Sequence, residues 1–528
     1  MTPTPRSASR PTPQLPAQLS ARPTRRRALA AGLGTPLALT LAACGFTSTP
    51  GSSSGASDAS DASGAPGARL TLAMMQPPRS ALNPFTDDAF KLSRWSCGET
   101  LVVLDEDGEP QSALATAWEQ VSDLTWRFKL REGVRFHDGG TLDAAAVVTM
   151  IEAAMAAAPK PRILDGVELT ASAVDQLTVE IATARPDPLL PGRLSSPQLS
   201  VLSPAAYEDR AVDPTGRATG PFVLTALSGT TSATLDRFED YWGERAAASG
   251  IDVAFVPDGT ARGAALRTGE AQIVEAIPVS QVALVDAESI HEVPMPRTNT
   301  LYVNVTSPVL SDPSLRAAVR EAVQRDQIVR TVYEGHADVA EGLLGPAVAW
   351  AKAARVPATY REAGRPTGQA LTIGTFTDRA ELPEVAVALQ ASLEAAGFTV
   401  RQDVREYANI EQDALAGAFD IFILSRATVL DSGDPVAYMV SDFSSTGSFN
   451  LSQLKDPRVD AALEAAAAAP MGDARRSAIM EAERVILETD AAIPLLHERV
   501  IQGEAAGIAH AERDPRERAL VTARTTAV

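Results

Sequence analysis

The order of apolar and polar residues from Arg69 onward alternates between two periods. Runs of period two include "RLTLAM" and "TWRFKL", where Trp126, Phe128 and Leu130 take one face while Arg127, Lys129 and Arg131 take the other. That is the pattern of a half-buried strand. Further strands are predicted at Ile251 to Val256, Gln272 to Ala276, Leu301 to Val305, Leu371 to Phe376, Phe398 to Val404 and Phe419 to Leu424. Segments of helical period lie between them. "LDAAAVVTMIEAAMAAA" follows the turn Asp138-Gly139-Gly140, with Thr141 placed to cap it and Asp143 in a first turn that favours negative charge. In "DPSLRAAVREAVQRDQIVRTVY" Leu315, Val319, Ala322, Val323 and Val329 fall on one stripe, which predicts an amphipathic helix. No internal repeat is evident. Strands alternating with helices predict a mixed α/β protein, and about 460 residues exceed one hydrophobic core, so two lobes are expected.

The first 68 residues follow neither period. Arg25, Arg26 and Arg27 precede an apolar run from Ala28 to Ala43, 16 residues long, short of the roughly 20 that span a bilayer. This is the outline of an export signal, and its arginine run fits either general secretion or the twin-arginine route. Leu41-Ala42-Ala43-Cys44 resembles the lipobox of bacterial lipoproteins, whose small residues admit the signal peptidase and whose thiol receives diacylglycerol. Two acyl chains, at about 0.8 kcal/mol per buried methylene, hold a protein on a membrane where one would only dwell. Residues 1–43 are therefore read as a signal peptide and 44–68 as a lipid-anchored Gly/Ser/Ala/Asp leash averaging roughly 25–30 Å end to end. Gly51-Ser52-Ser53-Ser54-Gly55 in that leash matches G-x-S-x-G, but a nucleophile elbow needs a strand before it and a helix after it. It carries no catalytic reading.

Charge and composition narrow the function. The formal charge is −19, and residues 1–43 hold six arginines and no acid, so the remainder carries −25. Such a surface repels nucleic acid and anionic lipid. Cys97 is the one cysteine besides Cys44 and is read as a small buried residue, with no intrachain disulfide. His137, His291, His336, His497 and His510 are scattered without an i,i+4 pair, and no C-x-x-C occurs, so no metal or cofactor is implied. No catalytic motif survives inspection, and an enzyme is not expected.

The stretch "LVVLDEDGEPQSALATAWEQVSDLTWRFKLREGVRFHDGGTLDAAAVV" resembles the family 5 extracellular solute-binding proteins of ABC importers, which serve oligopeptides, dipeptides and nickel chelates. Further matching blocks follow in the family's order: "ATGPFVLTALSGTTSATLDRFEDYWGE", "ALRTGEAQIVEAIP", "LYVNVTSPVLSDPSLRAAVREAVQRDQIV", "VALQASLEAAGFTVRQDV", "FDIFILSRATVLDSGDPVAYM" and "ILETDAAIPLLHERV". Together they cover roughly Arg69 to Val500. The resemblance implies a two-lobed fold of the type II periplasmic-binding-protein kind, in its large form with an extra subdomain. Carried over by blocks, the first lobe is 69–297 with the subdomain at about 110–210, the second is 298–492, and 493–528 returns to the first. It further implies a monomer that closes on a peptide or other small solute and presents it to permease and ATPase subunits.

The same resemblance supplies candidate ligand residues. In peptide-binding members an aspartate of a W-x-x-D-x-x-D-P segment meets the peptide's α-amine. Here "TVLDSGDP" places Asp431 there, with Thr428 where the family often has tryptophan and Asp434 as a turn or cap residue. Arg379, in the loop after "LTIGTF", and Arg426 are candidates for the peptide carboxylate, since a guanidinium offers a planar fork. Trp95 sits where relatives contribute first-lobe pocket residues, or else belongs to the core. Two alternatives stay open. A nickel chelate would call on first-lobe arginines, of which "RLSSPQLSVLSP" offers Arg193 alone. The other is a lipoprotein that senses peptide without an importer.

Overall fold

The computed structural model describes residues 67–209, 211–429 and 432–527. Cys44, the predicted leader and most of the leash lie outside these residues, and so does Asp431. Among the described residues the largest sheet has eleven strands. Its order runs from Thr399–Arg405 through Ala370–Phe376 and Ile421–Ala427 to Ile290–Val303 and Ala492–Glu504. It continues through Ile273–Val274, Arg69–Met74, Gly250–Phe255 and Ser232–Arg237 to Phe222–Ser228. Strands joined through helices pair in parallel, as Ala370–Phe376 does with Thr399–Arg405 across the helix Glu381–Ala396. The protein is α/β with two lobes, and the two long central strands, Ile290–Val303 and Ala492–Glu504, pair antiparallel between them.

Apolar burial gathers around each half. One core joins Leu301, Ile373, Leu389, Ile423, Met480 and Leu496. A second joins Leu70, Trp95, Phe222, Ile251 and Val521, so the C-terminal residues pack beside the first described strand. A third lies between the four-stranded sheet of residues 115–183 and the helix Ala144–Ala156, with Phe128, Val147 and Ile181 at its centre.

Two local expectations are corrected. The helix after Asp138-Gly139-Gly140 begins at Ala144, and its cap is Asp143, whose Oδ1 accepts the Ala146 amide at 2.9 Å. Thr141 is unavailable because its backbone bridges to Arg135. The amphipathic run from Asp312 to Tyr333 is two helices, Pro313–Ala322 and Arg325–Thr331, separated at Val323, which is extended. The second piece turns to pack on the strands Ala337–Val339 and Ala492–Glu504, where Arg325 Nε donates to Pro494 O at 2.7 Å. Losing an Asp cap costs about 1 kcal/mol. Asp143→Ala should therefore lower the urea midpoint of unfolding, and Thr141→Ala should leave it in place; equal losses would refute the assignment of the cap.

Candidate functional site

A cavity of about 2270 Å³ opens over the two central strands, well above the roughly 300–1,000 Å³ of a drug-sized pocket. Its floor is shaped by an interruption of their ladder. Pairing steps from Pro294↔Arg499 to Thr298↔His497, so Met295, Pro296 and Arg297 stand opposite Glu498 alone. Two prolines in this stretch remove amide donors from the ladder, and a bulge re-aims the side chains it carries. Arg297 consequently lines the cavity, as do Glu498 and Arg499 from the partner strand.

The second-lobe wall is held by charge pairs. Arg379 Nη1 donates to Glu498 Oε2 at 2.8 Å, and Asn299 Nδ2 approaches Glu498 Oε1 at 3.2 Å. Glu498 above all raises the Arg379 pKa, keeping the guanidinium charged despite partial burial. Arg426 forks onto the buried Asp442, with Nε 2.9 Å from Oδ2 and Nη2 2.9 Å from Oδ1. Tyr302 donates to the same carboxylate at 2.8 Å, and the Phe449 ring lies 4.5 Å from the guanidinium carbon. Burial opposes the charge on Arg426, but Asp442 more than offsets it and the pKa is raised. On the first-lobe side Arg94 pairs with Glu275 and with Glu517.

The segment expected to meet ligand is pinned at both ends. The Thr428 amide and hydroxyl both donate to Pro296 O, at 2.8 and 3.2 Å, and the side chain is buried. Asp434 accepts the Val436 amide at 2.9 Å and pairs with the buried Arg475, whose Nε lies 2.5 Å from Oδ2. Asp434 is thus a cap residue with an ionic partner. Between these pins the described backbone touches the other lobe. Gly433 has φ +73°, and a Cβ there would run into Leu104; a Cβ on Gly108, φ +84°, would stand 3.3 Å from Gly433 O. Both positions need glycine for conformation and for space. Beside them Arg476 Nη2 lies 3.0 Å from Glu109 Oε1. The tip of the hairpin Val102–Leu104/Pro110–Ser112 thereby rests on the second lobe.

A family model for bacterial extracellular solute-binding proteins, family 5, matches residues 109–450, more than half of the chain. The chain belongs to family 5. It is 29% identical over 318 residues to the glutathione-binding protein GsiB of Salmonella paratyphi A, a match covering 56% of this chain and 62% of that protein. The chain thus spans less than two thirds of the length of the curated relatives it matches. Among solved structures, a nickel ABC transporter protein from Bacillus halodurans is 25% identical, with TM-score 0.73, over 87% of this chain and 100% of that one. NikA from Brucella suis in complex with Fe(III)-EDTA shares the fold at 22% identity and TM-score 0.75, with the same coverage. These relatives are solute-binding proteins, and the chain is not read as an enzyme.

Within this family 5 protein the expected ligand residues divide. Arg379, Arg426 and Thr428 line the cleft, but each already has a protein partner: a carboxylate for the two arginines and a carbonyl for the threonine. Trp95 offers the cleft nothing. It is fully buried in the first-lobe core, against Phe255, with its indole N–H 2.9 Å from the Met74 sulfur. His497 is structural: Nδ1 lies 2.9 Å from the Thr298 hydroxyl, and burial pushes the imidazole down to about 4. Arg193 is occupied by Asp187 at 2.7 Å and by Ile163 O. Sequence reasoning missed Arg297, Glu498 and Asp442. For Arg297 a signal existed, since "PMPRTNT" places two prolines inside a strand pattern and so announces a bulge. Glu498 and Asp442 acquire their roles only from partners distant in the chain.

The Arg476–Glu109 pair links the lobes while remaining part-exposed, so its contribution is about 0.2–1 kcal/mol. Arg476→Ala should weaken solute binding by about 1.5- to 5-fold and shift scattering toward the more open form. Unchanged binding and an unchanged profile would show that this contact does not help hold the lobes together.

Proposed function

We propose that this protein captures short peptides between its lobes and delivers them to an ABC importer, from an exported position anchored by lipid at Cys44. The observation that carries this reading is the cleft itself: about 2270 Å³, laid over two strands shared by both lobes and lined from each of them. A solute that touches both walls favours the closed arrangement, and a binding protein needs no other mechanism. Peptide is preferred over a nickel chelate on two grounds. Asp431 stands three residues ahead of Asp434-Pro435, as in peptide-binding relatives, and Arg193, which a chelate would call upon, is bonded within the first lobe. The name of GsiB agrees, since glutathione is a tripeptide. The nickel-transport neighbour keeps a chelate as the second reading.

On this reading Asp431 receives the peptide's ammonium. Truncating one side of an enclosed charge pair costs about 2–5 kcal/mol, so Asp431→Ala should weaken peptide binding by roughly 30- to 3,000-fold. N-acetylated peptide should bind the parent poorly and lose little more on mutation. Calorimetry on both proteins with both peptides closes a double-mutant cycle, and a coupling energy of zero would rule out this role for Asp431.

Anchoring has its own test. No helix among the described residues is long and apolar enough to cross a membrane. On the lipobox reading Cys44→Ala should release the protein from the membrane fraction and abolish acylation. Full retention of the variant on membranes would remove the lipobox reading.

A further inference from the structure

Most arginines that line the cleft are tied to protein partners: Arg94 to Glu275 and Glu517, Arg379 to Glu498, Arg426 to Asp442, Arg475 to Asp434. Three cleft arginines make no side-chain hydrogen bond or ion pair among the described residues: Arg79, Arg185 and Arg297. The first two are exposed, where solvent reaches them. Arg297 is not. It is half-buried at the bulge, and its pKa is lowered, first by burial and then by the charge of Arg379. Glu498, the acid directly across the bulge, acts on it through its charge but makes no hydrogen bond to it, its oxygens being turned to Arg379 and Asn299. Five N–H donors in a rigid fork are left facing a cavity.

A second unmatched group stands on the same face. Ser425 is 7% exposed, lines the cavity, and its Oγ has no hydrogen-bond partner. Pairing of the two strands sets Arg297 opposite Ala427 and Asn299 opposite Ser425. Residues two apart share a face, so Arg297 and Ser425 are diagonal neighbours, about 7–8 Å apart at Cα and within reach of a long side chain. The small Ala427 side chain, opposite Arg297, leaves room above the strand. Arg379 adds positive potential nearby, which disfavours an ammonium and favours an acceptor-only group.

We infer that Arg297 and Ser425 form the subsite for a carboxylate of the captured solute. This rests on the reading of the cleft as a solute trap and adds which end of the solute sits at the bulge. Arg379 and Arg426, the residues expected from sequence to do this, are second to Arg297 because each already pairs with a carboxylate.

The test uses the purified protein and its Arg297→Met and Ser425→Ala variants, with trialanine, trialanine amide, succinate and nickel–EDTA as probes. The parent should bind trialanine more tightly than its amide. Arg297→Met should lose about 10- to 150-fold on the free acid, as expected for a charged hydrogen bond of about 1.5–3 kcal/mol, and almost nothing on the amide. Ser425→Ala should lose less, in the same direction. Without ligand, Arg297→Met should melt at or above the parent temperature, because it removes an enclosed cation that has no partner. A variant that melts well below the parent would make Arg297 structural and overturn the inference. If no peptide binds but succinate or nickel–EDTA depends on Arg297, the peptide reading falls and the subsite stands. If no probe separates the parent from Arg297→Met, the subsite is wrong.

Discussion

The antiparallel ladder between Ile290–Val303 and Ala492–Glu504 is the constraint on which the molecule depends. Along the large sheet, every path of hydrogen bonds from Ile421–Ala427 to Ile273–Val274 passes through these two strands. The first half of Ile290–Val303 and the second half of Ala492–Glu504 lie beside the first-lobe strands and the remaining halves beside the second-lobe ones, so one ladder serves two cores. Backbone bonds of this kind resist shear but give at a bulge. The bulge at Met295 to Arg297, with Pro294 and Pro296 withholding amides, is where the ladder is thinnest and where the cavity floor lies. The interruption of the ladder and the cavity floor therefore coincide, and the same local sequence sets both.

Around that point the polar groups are matched closely. Arg475 with Asp434, Arg355 with Glu483 and Arg320 with Asp490 are buried or nearly buried pairs that fasten the second lobe. Leaving either member of such a pair alone would be strongly destabilising, so each pair fixes two distant segments together. A wall built this way is stiff, and its few unmatched groups acquire meaning by contrast. The chain carries 66 acids against 47 bases, yet its cleft is lined by arginine and acid in comparable measure. The excess of acid therefore lies outside the cleft, where most cations stand among fixed partners.

Periodicity made the elements legible. The strand at Arg69–Met74 was readable residue for residue, and those at Gly250–Phe255 and Ala370–Phe376 to within one residue, because one apolar face per strand leaves a clear alternation. The break at Val323 was not readable, since the apolar stripe continues across it and tertiary docking of Arg325 decides the turn. The two-lobed architecture entered through ordered family blocks, which no period supplies. For the cleft, sequence identified residues that do line it, Arg379, Arg426 and Thr428, but could not tell a free guanidinium from a filled one. That difference depends on Glu498 and Asp442, which lie 119 and 16 residues away from the arginines they occupy. Trp95 shows the converse limit: a large aromatic beside a cleft is equally a core residue, and its indole found a methionine.

The segment from Thr428 to Asp434 joins these threads. Its start is bonded to Pro296 O, inside the bulge, and its end to Arg475, inside the second-lobe wall. Just ahead of that end Gly433 meets the first lobe, against Leu104 and Gly108. Glycine on both sides lets the two backbones approach with no side chain to cushion them, which makes the contact steep in distance.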